Sequence, residues 1–510
     1  MTINIGGGIS IGAGIGFGTG AAPAGAVITS SYQVAAFNFN STGYPTASIS
    51  LINGDTQVVS GDGSTIYLGG YTPGASNDQG QQTAVKLTTT YGSAAAEWAV
   101  VQPTLAAIST WFSGPSAITM GIDSNLWLTT GPAWPDGATP TQTGYLAKYW
   151  GANGVIASST TFYTAPSGFS PTSVYQKSNG NLVIGGSTGA LKNSLLEMST
   201  SSGYSTVSAK RWIRSSVDFN YVSGFSAVGD AISTGNYAGG STYFSTLTTV
   251  NPTADKTPLG SQAAVGMFTA ADTLSWAATL SNSLGCTIYN GRSQVTTTSG
   301  TVYVATQAYN VSYTHSYLSL LNNTGIVWQQ KFSVASESFQ LAKFALDGLG
   351  NMICQAARSA GGLRIFSVKL SDRTINWERT LTMTTYGTAG FPNQSLATSK
   401  TGVNSSSFFT LSGTMALSGT NARNAWQLIL PSDGSIPNNG TITVASLTFS
   451  YVASTDVVSA STTDLTYASD TSNYSSTDVA TITYGTPTTG TPATFASRAN
   501  TGTVTLANLN

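Results

Sequence analysis

GDGSTIYLGG (residues 61–70), followed by AVKLTTTYGSAAAEW ending at Trp98, is the stretch that decides the fold. It reads as a polar Gly/Asp turn, a short apolar strand, a second strand, a Gly turn and a Trp. The same phrase returns as SNGNLVIGG (178–186) with SLLEMSTSSGYSTVSAKRW ending at Trp212. It returns again as TSGTVYVAT (298–306) with LSLLNNTGIVW ending at Trp328, and as DGLGNMICQ (347–355) with FSVKLSDRTINW ending at Trp377. Self-similarity at a steady period fixes an architecture before any single residue does.

Three weaker copies fill the gaps: GIDSNLWLTT (121–130), VGDAISTGNYAG (228–239) with a late Trp276, and SSSFFTLSG (405–413). The first apolar residues of the seven strands are Ile66, Leu126, Leu182, Ile232, Val302, Met352 and Phe408, spaced by 60, 56, 50, 70, 50 and 56 residues. Within a copy, Ile66 and Leu68, then Val85 and Leu87, alternate with the two-residue period of half-buried strands. The turns GDGS, SNGN and SDGS supply residues that take positive φ at low cost. Helical stripes are missing, and Lys, Glu and Arg are too few to clothe helix surfaces.

A four-stranded unit of this length, repeated radially, predicts an all-β chain: a seven-bladed β-propeller over residues 31–445. An N-terminal glycine-rich arm (1–30) precedes it, and a small β-rich C-terminal segment (446–510) follows. The turn–strand–Gly, strand–turn–Trp pattern of residues 50–445 resembles the bacterial SBBP-type and PQQ-like propeller repeats. That resemblance implies fold alone.

Charged residues make up 8% of the chain and hydrophobic residues 41%, with a net charge of −1. This is a folding composition. It offers no field that would steer nucleic acid or an anionic membrane, and near-zero charge favours association. Basic residues cluster only at Lys210, Arg211 and Arg214. Residues 1–20 lack the basic and continuous apolar parts of a secretory leader, and no apolar run is long enough to span a bilayer as a helix.

The arm MTINIGGGISIGAGIGFGTG places Ile3, Ile5, Ile9, Ile11, Ile15 and Phe17 in strand-like pairs between glycines. It cannot bury these side chains alone, and glycine makes it costly to order. One reading returns it to its own propeller; the other adds it as a strand to a neighbouring subunit. Met1 to Gly12 resemble the N-termini of structural proteins of tailed bacteriophages, particularly those of cyanobacteria. The resemblance implies a virion protein, tail-associated as a fibre, tip or nozzle component. It would dock to other virion proteins through residues 1–20, stand in several symmetric copies, and be assembled in the host cytoplasm. A capsid or tail decoration protein is an alternative.

Catalytic residue types are sparse. His315, the single histidine, sits in strand-like SYTHSYLSLL without a nucleophile motif, which leads to the expectation of a non-enzyme. Asp62, Asp123, Asp230, Asp347, Asp372 and Asp433 lie at or near the repeated turns, where an Asp side chain caps backbone N–H groups. Calcium in such loops is a weaker reading, no other cofactor is expected, and no loop has the twelve-residue calcium pattern. Cys286 and Cys354 each lie among apolar neighbours and read as small core residues. Trp98, Trp212, Trp276, Trp328 and Trp377 end the units and read as packing between blades. Trp111, Trp127, Trp134 and Trp150 crowd one unit with Tyr145 and Tyr149. Of these, Trp127, Trp134, Tyr149 and Trp150 are the candidates for stacking on a host-surface glycan, as an adhesin would require.

Overall fold

In the computed structural model the described residues are the strands and most of the tight turns between residues 32 and 509. Residues 1–31 and the longer connections (39–56, 102–109, 136–143, 215–225, 230–241, 250–260, 384–393, 399–407 and 495–502 among them) lie outside them. The docking residues Ile3 to Phe17, Asp62, Asp230 and Cys286 therefore fall outside the described structure.

The fold is all-β, with seven antiparallel sheets of five or six strands and one two-stranded sheet. Six sheets begin as four-stranded meanders drawn from consecutive stretches: 57–101, 115–164, 169–214, 226–282, 287–333 and 339–383. The seventh takes three strands from 394–431 and its fourth from Tyr32–Asn38. Val34 lies opposite Leu428, so the beginning of the described chain completes its last meander.

The repeat spacing becomes more regular in the structure than in the sequence. VGDAISTGNYAG is not the fourth copy of the second strand. That strand is Thr242–Thr249, and the strand before it is Ser226–Gly229. Residues 230–241 are an insertion between them. The second strands of the third, fourth and fifth sheets start at Leu182, Thr242 and Val302, sixty residues apart in each case.

The C-terminal segment is not a separate appendage. The hairpin Thr441–Val444 and Leu447–Ala453 extends the sixth sheet. The chain then adds Ser459–Ser461 to the fifth sheet, Leu465–Ser469 to the fourth and Tyr474–Asp478 to the third. Ile482–Tyr484 and Thr488–Gly490 join the second, Ala493–Thr494 the first, and Thr503–Leu509 the seventh. One segment thus visits the sheets in descending order from the sixth to the first, ends on the seventh, and pairs with the fourth strand of each.

The core lies between neighbouring sheets. Leu363, Ile365 and Leu381 of the sixth sheet meet Phe409, Trp426 and Leu428 of the seventh, and Phe449 and Tyr451 of the C-terminal hairpin close over them. Each such side chain, fully buried, contributes roughly 1.5–3 kcal/mol. Hydrogen bonds cross the same seams. Tyr67 Oη donates to Ser124 O at 3.2 Å, between the first and second sheets. Ile122 N donates to Gln176 Oε1 at 3.0 Å, between the second and third. Leu341 N donates to Ser316 Oγ at 2.9 Å, between the sixth and fifth. Gln57 of the first sheet donates to Thr410 O at 3.0 Å in the seventh, and accepts from Thr410 Oγ1 and Gln427 Nε2. The first and last sheets in the chain are therefore neighbours in space.

The turn chemistry repeats with the strands. Asp123 Oδ1 accepts from Asn125 N, Asn179 Oδ1 from Asn181 N, and Asp347 Oδ1 from Leu349 N and Asn351 N. These turns join first to second strands. Between third and fourth strands, Asn322 and Asp372 cap Thr324 N and Thr374 N in the same way. After the third strand of the seventh sheet, Asp433 caps Ser435 N. A short carboxylate or amide two residues ahead of a free N–H is what such a turn needs.

Trp377 shows what the terminal Trp of a unit does. Its Nε1 donates to Ser432 O at 2.9 Å in the next sheet, and its ring stacks on Phe409 with centroids 6.0 Å apart. Gly434 lies against that ring with φ +78°, so a Cβ there would overlap the indole. Gly434→Ala is expected to cost about 2 kcal/mol, from overpacking and left-handed strain together. The check is a lower thermal midpoint than the parent's; an unchanged midpoint would show the seam to be loose.

Candidate functional site

The four proposed glycan-stacking residues do not form a platform. Trp127 and Tyr149 are fully buried, 0% exposed. Trp127 packs with Val174, Leu182 and Ile184 of the third sheet, and Tyr149 with Tyr67 of the first. Their side chains fill the two flanking seams of the second sheet and present no face to solvent. Trp134 lies in the strand Ala133–Pro135, which pairs with Thr110–Phe112 so that Trp134 is opposite Trp111; its side chain lies outside the described structure. Trp150 is 47% exposed.

Trp150 belongs to a small polar constellation at the turn end of the second sheet. Lys148 Nζ lies 5.1 Å from the Trp127 ring centroid and 5.3 Å from that of Trp150. The same ammonium pairs with Asp123 Oδ2 at 2.5 Å. Burial works to raise the Asp123 carboxyl, but the hydrogen bonds from Lys148 and Asn125 and the Lys148 charge hold it below the usual carboxylate range. Asp123 is therefore ionised, fixed in its turn and paired. Ile122, 47% exposed, lies one residue away.

A second constellation is buried and was not marked by any sequence motif. Arg364, 1% exposed, is the second residue of Leu363–Lys369, the third strand of the sixth sheet. It pairs with Glu337 in the connection from the fifth sheet and with Glu378 on the fourth strand of its own. Arg358 Nε donates to both Glu337 oxygens, at 2.9 and 3.1 Å. Glu378 Oε2 accepts Val458 N at 2.7 Å, where the C-terminal segment crosses from the sixth to the fifth sheet. Two carboxylates, two guanidiniums and a backbone amide thus clamp the crossing segment at a sheet junction. Burial alone would raise Glu337, yet the Arg358 and Arg364 hydrogen bonds and charges bring it below the ordinary value. For Arg364 burial disfavours the charge, and the two carboxylates more than restore it.

The sequence carried one signal for this cluster. Ten of the chain's 39 charged residues fall within residues 337–379. In a chain so poor in charge, local density marks where charge has structural work, although spacing alone does not tell which pairs meet.

The remaining candidates have local roles. Cys354 is buried and free, and burial pushes its thiol up. Asp347 is 1% exposed; burial raises its carboxyl despite the hydrogen bonds of its turn. His315 lies in the strand Tyr313–Asn322, its side chain outside the described structure. Among the described residues no group of three or more His, Cys, Asp and Glu could hold a metal ion. No helix among them is long and apolar enough to cross a membrane.

No protein-family model and no curated protein matches the chain. Solved structures do. A subtype N11 neuraminidase-like protein of A/flat-faced bat/Peru/033/2010 (H18N11) matches with a TM-score of 0.37 and 9% identity, over 63% of this chain and 88% of that one. Drosophila Semaphorin 2a matches at 0.41 and 9%, over 79% and 77%. The NanB sialidase from Streptococcus pneumoniae matches at 0.36 and 11%, over 82% and 70%. The neuraminidase-like protein and the NanB sialidase among them are β-propellers, and every one of these TM-scores is below 0.5. They correct the expectation of a non-enzyme: the matched structures are mainly sialidases and glycosidases, which are enzymes. The likeness is distant and gives the chain no activity.

Glu378→Ala should leave Arg364 half-paired and Val458 N without its carboxylate, at a cost of about 3–5 kcal/mol. Glu337 has a folded pKa below its unfolded one, so its stabilisation is present above the ordinary carboxylate value and is lost as pH falls through the folded value. Hydrogen exchange at Val458, corrected for intrinsic rate, should speed up in Glu378→Ala and in the parent under that acidification. Unchanged protection in both would contradict the clamp.

Proposed function

We propose that this chain is a virion structural protein of a tailed phage, associated with the tail and built as a seven-bladed β-propeller. Residues 1–20 anchor it to other virion proteins, and it stands in several symmetric copies on the assembled particle. The seven sheets are read as blades, with Gln57, Thr410 and Gln427 joining the seventh blade to the first.

One observation carries the anchoring reading. Tyr32 is paired with Leu509 on the outer side of the seventh sheet. The arm is joined to the chain at Tyr32, and the strand that begins there lies next to Thr503–Leu509, the last strand of its sheet. Three further features support it. Residues 1–12 resemble phage structural N-termini, the chain has almost no net charge, and every sheet ends in a strand supplied by the C-terminal segment.

Deletion of residues 1–20 is the test. The shortened chain should fold with the parent's thermal midpoint and be absent from purified particles. Incorporation at the parent's level would sink the anchoring reading.

A further inference from the structure

The outer edges of the seven sheets are not alike. A strand with an open edge is a template for another strand, and proteins blunt such edges by keeping them short and by placing charges or prolines beside them. Most outer strands here are blunted in that way. Ser459–Ser461, Ile482–Tyr484 and Thr488–Gly490 have three residues each, and Ala493–Thr494 has two. The sequence sets Asp456, Asp464, Asp470 and Asp478 beside or within the C-terminal strands of the fifth, fourth and third sheets, and Pro487 and Pro492 beside those of the second and first. Thr441–Val444 has four residues and follows directly on the turn Pro437–Gly440.

Thr503–Leu509 departs from this pattern. It has seven residues, TVTLANL, with no charge and no proline. It is paired along its whole length with Tyr32–Asn38 on one side, and on the other, among the described residues, it is the end of its sheet. It also pairs with Tyr32–Asn38, the first described strand, to which the arm is joined in sequence.

We infer that the free edge of Thr503–Leu509 accepts the N-terminal arm of a second copy of this chain as an added antiparallel strand. The inference rests on the reading of the arm as a docking strand and names its acceptor. The arm's apolar pairs, Ile3 with Ile5 and Ile9 with Ile11, have the two-residue period that strand addition uses. Every strand pairing described in the molecule is antiparallel, the register in which a neighbour's arm needs no connection at all. A chain's own arm, added antiparallel to this strand, would run parallel to Tyr32–Asn38 and would need a crossover connection over the sheet. Donor and acceptor are different surfaces, so each copy gives one strand and takes one, a head-to-tail contact that builds a closed set of copies when its rotation closes.

The test uses full-length chains. One carries Thr505→Cys; three others carry Asn4→Cys, Ser10→Cys or Gly16→Cys in the arm. Equal mixtures are oxidised and run on a non-reducing gel, with the parent chain as control for Cys286 and Cys354. At least one arm variant should give a disulfide-linked pair containing one chain of each kind, and deleting residues 1–20 from the acceptor chain should not abolish it. No linked pair in any mixture, or a link formed only when both cysteines are on one chain, overturns the inference. If that negative result accompanies loss of the arm-deleted chain from particles, the arm docks on a different protein and the anchoring reading stands. If copies link as expected while the arm-deleted chain still enters particles, the anchoring reading fails instead.

Discussion

Backbone hydrogen bonding at the sheet edges is the constraint on which this molecule depends. A meander of four strands leaves its outer strand with a row of unpaired N–H and C=O groups, and seven meanders leave seven such rows. The chain pairs part or all of each with a strand drawn from residues 441–509, descending from the sixth sheet to the first and ending on the seventh. That single segment links elements far apart in sequence, so the fold is rich in long-range pairing. Such pairing closes only after large loops have been ordered. The C-terminal segment cannot find its place until the meanders exist, and the clamp at Glu378 and Arg364 holds it where it changes from one sheet to the next.

Charge is used sparingly in this scheme. A buried ion pair seldom adds net stability, because desolvation consumes most of the Coulombic gain. Its better-supported use is to fix one arrangement against alternatives. A Ser/Thr-rich segment of short strands is prone to slip in register. Val458 bound to Glu378, itself fixed by Arg364, gives that segment one directional contact that a shifted register would lose. Several contacts between sheets use neutral groups: Gln57 with Thr410, Tyr67 with Ser124, Trp377 with Ser432.

The repeat was legible in sequence because its turns have fixed chemistry. Gly180 in SNGN and Gly434 in SDGS take positive φ, and the Asp and Asn residues of those turns cap backbone amides as expected. The copy at residues 228–239 was misplaced because an insertion carries a similar polar–apolar phrase, and only pairing of Thr242–Thr249 with both neighbours settles which stretch is the strand. The path of the C-terminal segment was not legible. Its strands are two to seven residues long, and local composition says that they are strands without saying which edge each one meets. The aromatic candidates failed for a related reason. Recurrence and clustering mark Trp127 and Tyr149 as large side chains with work to do, but burial in a seam and display to a ligand leave the same trace in a sequence. Only Trp150, which lies in a turn, reaches solvent among those whose side chains are described.

What is not repeated carries the proposed role: the arm that departs at Tyr32 and the segment that ends beside it. The central claim is that residues 441–509 form the fifth strand of every sheet. Amide hydrogen exchange of the full-length chain, resolved to peptides covering 459–461, 465–469, 474–478 and 503–509, tests it most directly. The account predicts slow exchange in all four, lost together when the meanders unfold. Exchange in all four at the rate of an unstructured peptide, with the meanders still protected, would contradict it.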